Sequence, residues 1–394
     1  MPKIAILTLH PENYGGILSS LRVVYEFCSK YFEPTVFFVG FDHKISAHLR
    51  PLKFNSEVRR KNYFGMRCVE IGSRWAFWEP WHYAATLKIW EKELRDFEYF
   101  FVTSGTCIAA HPLTLLKKKF LLWPATPYDD DRLARRCEMS VSRRILENLS
   151  APFMRKIELD ILRSASLVLP MSFYAKKQFS VMAGLDPDDM DVCGFPVKTV
   201  MKGCKENQKI VVAIGRFDDP RKNIEMLLRV WRRVIRQQPE AKLIIIGNTP
   251  QKEKIRGFEN LINSGCVRFT GWISEDEKQG ILKSASVMLI TSHQEGLGII
   301  GLEAMANSVP VISTICGGTS DYVLDGKTGF LVDVDDDDSM AVLTNSVLES
   351  KPLRERLSHN SFELVKKRFS HKFVQSTFSK GLVSVWPELA SVLL

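Results

Sequence analysis

The sequence predicts an α/β protein of two doubly wound, Rossmann-like domains facing a cleft, and three observations carry that prediction. Short runs of Val, Ile, Leu and Phe without polar alternation recur along the whole chain, as strands buried on both faces of a parallel sheet require. Stretches with helical periodicity separate them. At 394 residues the chain exceeds one core of ordinary size and suits two.

In the first half the apolar runs are Lys3 to Thr8, Thr35 to Val39, Tyr99 to Thr103, Phe120 to Trp123 and Leu167 to Pro170. The second half has Ile210 to Ile214, Lys242 to Ile246, Val267 to Thr270, Val287 to Ile290, Val309 to Ser313 and Gly329 to Val332. Between them GFPVKTVMKGCKENQK, from Gly194 to Lys209, is polar, interrupted by Gly and Pro, and reads as a linker. The expected domains are 1–197 and 198–369. The remainder, 370–394, sets Phe373, Phe378, Leu382 and Trp386 at near-helical spacing and is expected as a terminal helix.

Hydrophobic residues at 45% and charged residues at 25% are globular averages and exclude disordered or collagen-like classes. No apolar run approaches the roughly 20 residues of a membrane span, and MPKIAILTLH lacks the features of a signal peptide. A cytoplasmic protein is expected. Eight cysteines without a C-x-x-C pair read as reduced thiols, with no metal site. The net charge of +9 hints at anionic partners. From Arg132 to Lys177 there are ten basic and four acidic residues, and Arg132, Arg136, Arg143 and Arg144 are expected on one helix side. That face reads either as solvated surface or as contact with anionic lipid headgroups or a phosphorylated acceptor. No recognisable motif for nucleic acid accompanies it.

Function is written most densely in SVMLITSHQEGLGIIGLEAMANSVPVIS, residues 286 to 313. An apolar strand leads to a loop ending in Glu295, a turn from Gly296 to Gly298, a helix carrying Glu303, and a second strand. Such a turn lets backbone N–H groups meet an anion at a helix N-terminus. The flanking carboxylates suit neutral hydroxyls instead, one set on each side of the phosphates, which describes a nucleotide sugar. Gly296, Gly298 and Gly301 also spell the dinucleotide fingerprint, yet the next strand ends in Ser313, Thr314 and Ile315 without the acid that a nicotinamide cofactor needs. Upstream, IGRFDDPRKN ends a strand in Gly215 and Arg216 and brings Arg221 and Lys222 before an amphipathic helix. Ligands bind at the carboxyl ends of parallel strands, so Arg216 and Lys222 are the expected diphosphate clamp, with Arg221 an open candidate.

In unbroken order from about 209 to 349, these segments, together with AKLIIIGNTP, VRFTGWISEDEK, the E-x7-E pair of Glu295 and Glu303, GGTSDYV and DGKTGFLV, resemble the retaining glycosyltransferases of the GT-B fold, family 4. The resemblance implies a nucleotide-sugar donor as co-substrate, no other cofactor and no metal. It implies that Arg216 and Lys222 bind the diphosphate, Glu303 the ribose, and Glu295 the transferred sugar, with Arg216, Lys222 and Glu295 the catalytic set. Backbone amides of Leu297, Gly298 and Ile299 touch phosphate and sugar on this carry-over. Gly271, Trp272 and Ile273 border the base, and Gly15 and Gly16 close over the phosphates.

One departure concerns the first lobe, where many relatives carry a His shortly after the strand corresponding to FLLWPAT. Here stand Pro127, Tyr128 and three Asp, while His111 lies upstream. The expected first-lobe sugar contact is therefore left among His111, Tyr128 and Asp129. The Asp triplet is expected to N-cap a helix beginning near Arg132, and Asp335 to Asp338 to start one at Ser339. Gly326 to Thr328 looks like the end of a P-loop, but Asp321 replaces its first Gly. For the acceptor, RWAFWEPWHYAATLKIW from Arg74 and the basic residues Arg59, Arg60 and Lys61 suggest a glycan or a lipid-linked acceptor at the inner face of a membrane, as in polysaccharide or glycolipid synthesis. A nucleotide-sugar-binding protein without transfer, or an epimerase, is the alternative.

Overall fold

The computed structural model describes residues 1–11, 15–41, 57–73, 78–136, 139–199 and 209–393, side chains 134 and 135 excepted. Asn13 and Tyr14, Arg74 to Phe77 of the aromatic run, Cys137, Cys204 and residues 200–208 of the expected linker lie outside the described residues. The chain forms two compact units, Met1–Gly194 with Gln375–Leu394, and Phe195–Val374.

Among the described residues seven strands build the sheet of the first unit: β1 Lys3–Leu7, β2 Glu33–Gly40, β3 Val58–Tyr63, β4 Met66–Gly72, β5 Tyr99–Ser104, β6 Leu121–Pro124 and β7 Leu167–Val168, in the order β3-β4-β2-β1-β5-β6-β7. All neighbours are parallel except β3 against β4. That hairpin, absent from the expected strands, turns through Phe64 at φ 52° and Gly65 at φ 79°, two positive values that match the right-handed twist of its strands. The hairpin also occupies the basic run. Arg59 and Lys61 reach Glu70 at 3.7 and 2.9 Å, and Arg60 reaches Glu93 at 2.5 Å, so these cations hold acids of their own unit. Trp90, Phe37, Leu122 and Phe179 fill one side of the sheet with the core.

The second unit is wholly parallel: β8 Ile210–Ile214, β9 Lys242–Ile246, β10 Val267–Gly271, β11 Val287–Ile290, β12 Val311–Thr314 and β13 Gly329–Val332, in the order β10-β9-β8-β11-β12-β13. Counted within the unit this is 3-2-1-4-5-6, the doubly wound order whose direction reverses between its first and fourth strands, β8 and β11. The helix Ile224–Gln237 turns Ile224, Leu227, Leu228, Trp231 and Val234 to the sheet, a period of 3.6 that buries one stripe and leaves the arginines outside. Its N-cap is Asn223, whose side chain accepts from the Met226 N–H.

Three local expectations need correction. The helix carrying the Asp triplet is Tyr128–Arg136, so Asp129, Asp130 and Asp131 lie in its first turn and not ahead of it, where carboxylates complement the helix dipole. Arg143 and Arg144 belong to a separate helix, Val141–Ser164, capped by Ser140, so the four arginines do not share one face. Gly326 to Thr328 lead into β13, in keeping with the missing P-loop glycine, with the Thr328 hydroxyl donating to the Tyr322 carbonyl at 2.6 Å. Asp336 caps the helix Asp337–Glu349 through the Ser339 N–H, two residues earlier than expected. The six cysteines among the described residues are free thiols. No helix among them is long and apolar enough to cross a membrane.

Candidate functional site

In an open parallel sheet the crevice forms where strand order reverses, because the connections on either side leave in opposite directions. For the second unit that point is the carboxyl ends of β8 and β11. From β8 the chain continues through Gly215 and Arg216 to a short turn, Pro220–Lys222, capped by Asp219. Asp219 also receives the Arg221 guanidinium at 2.7 Å and stands 3.6 Å from that of Arg216. Arg221 is thereby committed to its own loop, and Arg216 remains about one third exposed.

Loop and loop are locked together. The Thr291 hydroxyl donates to the Lys222 carbonyl at 3.0 Å, and the His293 N–H to the Arg221 carbonyl at 2.7 Å. This delivers Lys222 to Glu295, Nζ to Oε1 at 2.5 Å, with both side chains mostly buried. Ser292 donates to the same carboxylate oxygen at 2.7 Å. The backbone of Glu295 is pinned as well, its N–H to the Cys316 carbonyl and its carbonyl to the Gly318 N–H.

Three residues on, Gly298 adopts φ 76° and ψ 55° and starts the helix Ile299–Ala306. No side chain caps that N-terminus and no acid stands in its first turn, so its leading N–H groups and positive dipole end are available to an anion. Glycine is required at Gly298, where a Cβ would sit 2.8 Å from the Tyr322 hydroxyl, and at Gly318, where one would sit 2.1 Å from the Gly296 carbonyl oxygen. The Tyr322 hydroxyl donates to the Gly298 carbonyl at 2.7 Å and fixes the turn. Leu297 is buried and Ile299 half-buried.

Glu303, one turn into that helix, meets Lys278 at 2.8 Å. Burial pushes the Glu303 carboxyl up against the pull of Lys278. For Lys278, burial acts to lower it, and Glu303 with Glu275 outweighs burial and raises it. Trp272, after β10, is about half exposed, and Ile273 is half-buried. Lys278, Ser292 and Asp219 are the polar partners that sequence reading missed. Lys278 and Glu303 are 25 positions apart, and nothing local in the sequence announces that pairing.

The first-unit candidates are placed differently. Gly15, at φ 127°, precedes the helix Gly16–Cys28, and open space surrounds its Cβ direction. His111 is buried edge-on to Tyr83, and burial lowers its pKa to about 4 against the opposing charge of Asp160. Tyr128 is fully buried, its hydroxyl donating to Glu147 at 3.0 Å and its N–H to Glu158 at 3.0 Å. Asp129 is ion-paired with Arg155 at 2.6 Å. A cavity of about 470 Å³ opens at the ends of β1 and β2, where Leu9, His10 and Phe41 meet Glu79, Arg132 and Glu147. Arg132 holds Glu79 at 2.9 Å. Among the described residues no cluster of His, Cys, Asp or Glu is arranged for a metal ion.

Two units of this strand order make the protein a GT-B fold. A solved structure of HepE from Anabaena, in complex with UDP and glucose, is similar over 98% of this chain and 100% of that one, with a TM-score of 0.71 at 15% identity. Residues 200–364 match the family Glycosyl transferases group 1. The phosphatidyl-myo-inositol mannosyltransferase of Mycolicibacterium smegmatis is 28% identical over 201 residues, 51% of this chain and 50% of that protein. The lipopolysaccharide core biosynthesis glycosyltransferase LpsE of Rhizobium meliloti is 28% identical over 176 residues, 44% and 50% of the two. The chain thus spans about half the length of these curated relatives.

Proposed function

We propose that the protein is a retaining, metal-independent glycosyltransferase of hexosyltransferase type. It moves a sugar from a nucleotide-sugar donor to a glycan or lipid-linked acceptor in the synthesis of a cell-surface polysaccharide or glycolipid, working in the cytoplasm at the inner face of a membrane. The observation that carries this reading is the meeting of Lys222, Glu295 and the uncapped helix end at Gly298 at the strand-order reversal. Cation and N–H donors there suit a diphosphate, and carboxylates on either side suit sugar and ribose hydroxyls.

During transfer the bond between the anomeric carbon and the phosphate oxygen breaks. Negative charge grows on the leaving diphosphate, and the sugar becomes oxocarbenium-like. Arg216, Lys222 and the N–H groups of Leu297, Gly298 and Ile299 stabilise that charge from fixed positions. Glu295 orients the transferred sugar and Glu303 the ribose. The acceptor oxygen bonds to the same face of the anomeric carbon, and its proton passes to the departing phosphate oxygen. Gly15 and Gly16 close over the phosphates, and the first-lobe sugar contact falls among His111, Tyr128 and Asp129, of which Asp129 is the partly exposed one. Trp272 and Ile273 border the base.

A thermal-shift series with UDP, GDP, ADP and their sugar conjugates, with and without magnesium, tests the donor. Ligand at about 100 times its Kd adds about 2.7 kcal/mol, and each kcal/mol moves Tm by roughly 2 to 4 °C. UDP is the first to try, given the UDP complex of the similar fold. One responding nucleoside diphosphate, indifferent to magnesium, is expected, followed by its acceptor-dependent release from the sugar conjugate. Arg216→Ala is expected to lower kcat/KM by at least about 10². Unchanged turnover in that variant would refute the assignment.

A further inference from the structure

The helix Val141–Ser164 turns Glu147, Ser150, Ala151, Met154 and Glu158 inward. On the opposite side Val141, Ile145, Leu149 and Phe153 stand 71%, 57%, 59% and 57% exposed. Four large apolar side chains at successive intervals of four form one ridge, roughly 18 Å long at 1.5 Å per residue. Trp78 lies against the ridge, its ring 5.9 Å from that of Phe153. A soluble surface scatters such residues singly, and a continuous ridge marks something that covers it.

The charge around the ridge says what that is. The other exposed positions from Val141 to Lys156 are Ser142, Arg143, Arg144, Asn148, Pro152, Arg155 and Lys156, with no carboxylate among them. Glu147 is turned inward to the Tyr128 hydroxyl and Arg132. Of the cations on this helix Asp129, which also meets Arg136, takes Arg155, and Arg143, Arg144 and Lys156 set the sign of the face. An apolar ridge rimmed by cations fits the headgroup layer of an anionic bilayer, where the ridge enters the acyl boundary and the cations stay with the phosphates.

We propose that this helix is the element by which the protein docks on an anionic lipid surface, lying in the interface without crossing it. The inference rests on the membrane-peripheral reading above and names the residues responsible. Arg143, Glu147 and Ser150 of the same helix also line the 470 Å³ cavity, so the docked helix carries that cavity to the lipid surface.

The full-length chain is sedimented with vesicles of phosphatidylcholine alone or with phosphatidylglycerol added. Wild type is expected to pellet with the anionic vesicles only, and high salt is expected to release it as the cations are screened. The double variant Ile145→Asp, Leu149→Asp is expected to lose bound fraction by about tenfold or more while keeping its Tm. Both positions are exposed, so an unchanged Tm separates lost docking from lost folding. Equal pelleting of variant and wild type, or wild type left in the supernatant with both vesicles, would overturn the proposal. So would a wild-type dimer in sedimentation velocity that the variant abolishes, since the ridge would then cover a second copy. The nucleoside diphosphate shift, read on the same samples, reports separately on the donor site.

Discussion

Lys222 and Glu295 each supply what the other lacks, since a mostly buried carboxylate and ammonium 2.5 Å apart compensate charges that burial would otherwise penalise. Lys222→Met leaves Glu295 with only the Ser292 hydroxyl and is expected to cost about 2 kcal/mol in denaturant unfolding, less than a fully buried pair because both groups retain some solvent. Adding Glu295→Gln is expected to recover part of that loss, and strictly additive costs would show that the two do not interact. Glu158 presents a different balance. Burial raises its carboxyl from 4.5 to about 7, against the N–H that Tyr128 offers. Between pH 4.5 and about 7 the unfolded chain has released a proton that the folded chain keeps, so stability falls as pH rises through that window. His111 acts in the other sense. Its folded pKa of about 4 lies below the ordinary 6.5, so its contribution is lost as pH falls from 6.5 towards 4. Because His111 is common to both proteins, the difference between wild type and Glu158→Gln isolates Glu158. The variant is expected to gain on the order of 3 kcal/mol on wild type from the acid to the neutral end of that window. Parallel pH profiles would refute it.

At the scale of elements, the strands that position the donor site were legible because each is an unbroken apolar run, and β8, β9, β11 and β13 occupy the spans that their hydrophobicity marks. The hairpin of β3 and β4 was not. β3 reads VRRKNY and exposes alternate side chains, and its turn is Phe64-Gly65 rather than the Asn-Gly that announces a hairpin. Helix boundaries failed for a related reason. Three aspartates suit an N-cap and a first turn alike, and here Glu158, thirty residues away, receives the Tyr128 N–H at the helix start. The glycine-rich turn was readable in outline, but its rigidity comes from the later segment around Gly318 and Tyr322, which packs beneath it. Gly318→Ala therefore drives a methyl into the backbone at Gly296 and Leu297. A loss of about 2 to 3 kcal/mol is expected in unfolding free energy, with weaker nucleoside diphosphate binding. A variant as stable as wild type would mean that the turn yields more easily than the contacts suggest.

At the scale of the whole chain, the two-core organisation followed from length and from the recurrence of buried strands, whereas the return of the last segment did not. Periodicity marked 370–394 as helical but carried no sign of which core it joins. The chain passes from the first unit to the second at Gly194 and back at Gln375, so the first unit is closed by a segment that follows the second in sequence. Phe378 is the centre of that closure, edge-on to Phe27, Phe101 and Trp123 with centroids 5.4, 5.1 and 4.9 Å away. Its helix also presses Gly381 against Leu121 and Leu167, so a truncation at residue 374 would expose one face of β5 and β6. Phe378→Ala is the gentler test, leaving a cavity in an aromatic cluster at a cost of about 3 to 5 kcal/mol. Amide exchange followed by mass spectrometry is expected to show lost protection in β1, β5 and β6. Protection in β8 to β13 is expected to persist, because the contacts removed all belong to the first unit. Uniform loss across both sheets would show instead that the two units unfold as one, and that the C-terminal segment stabilises the whole chain rather than the core it completes.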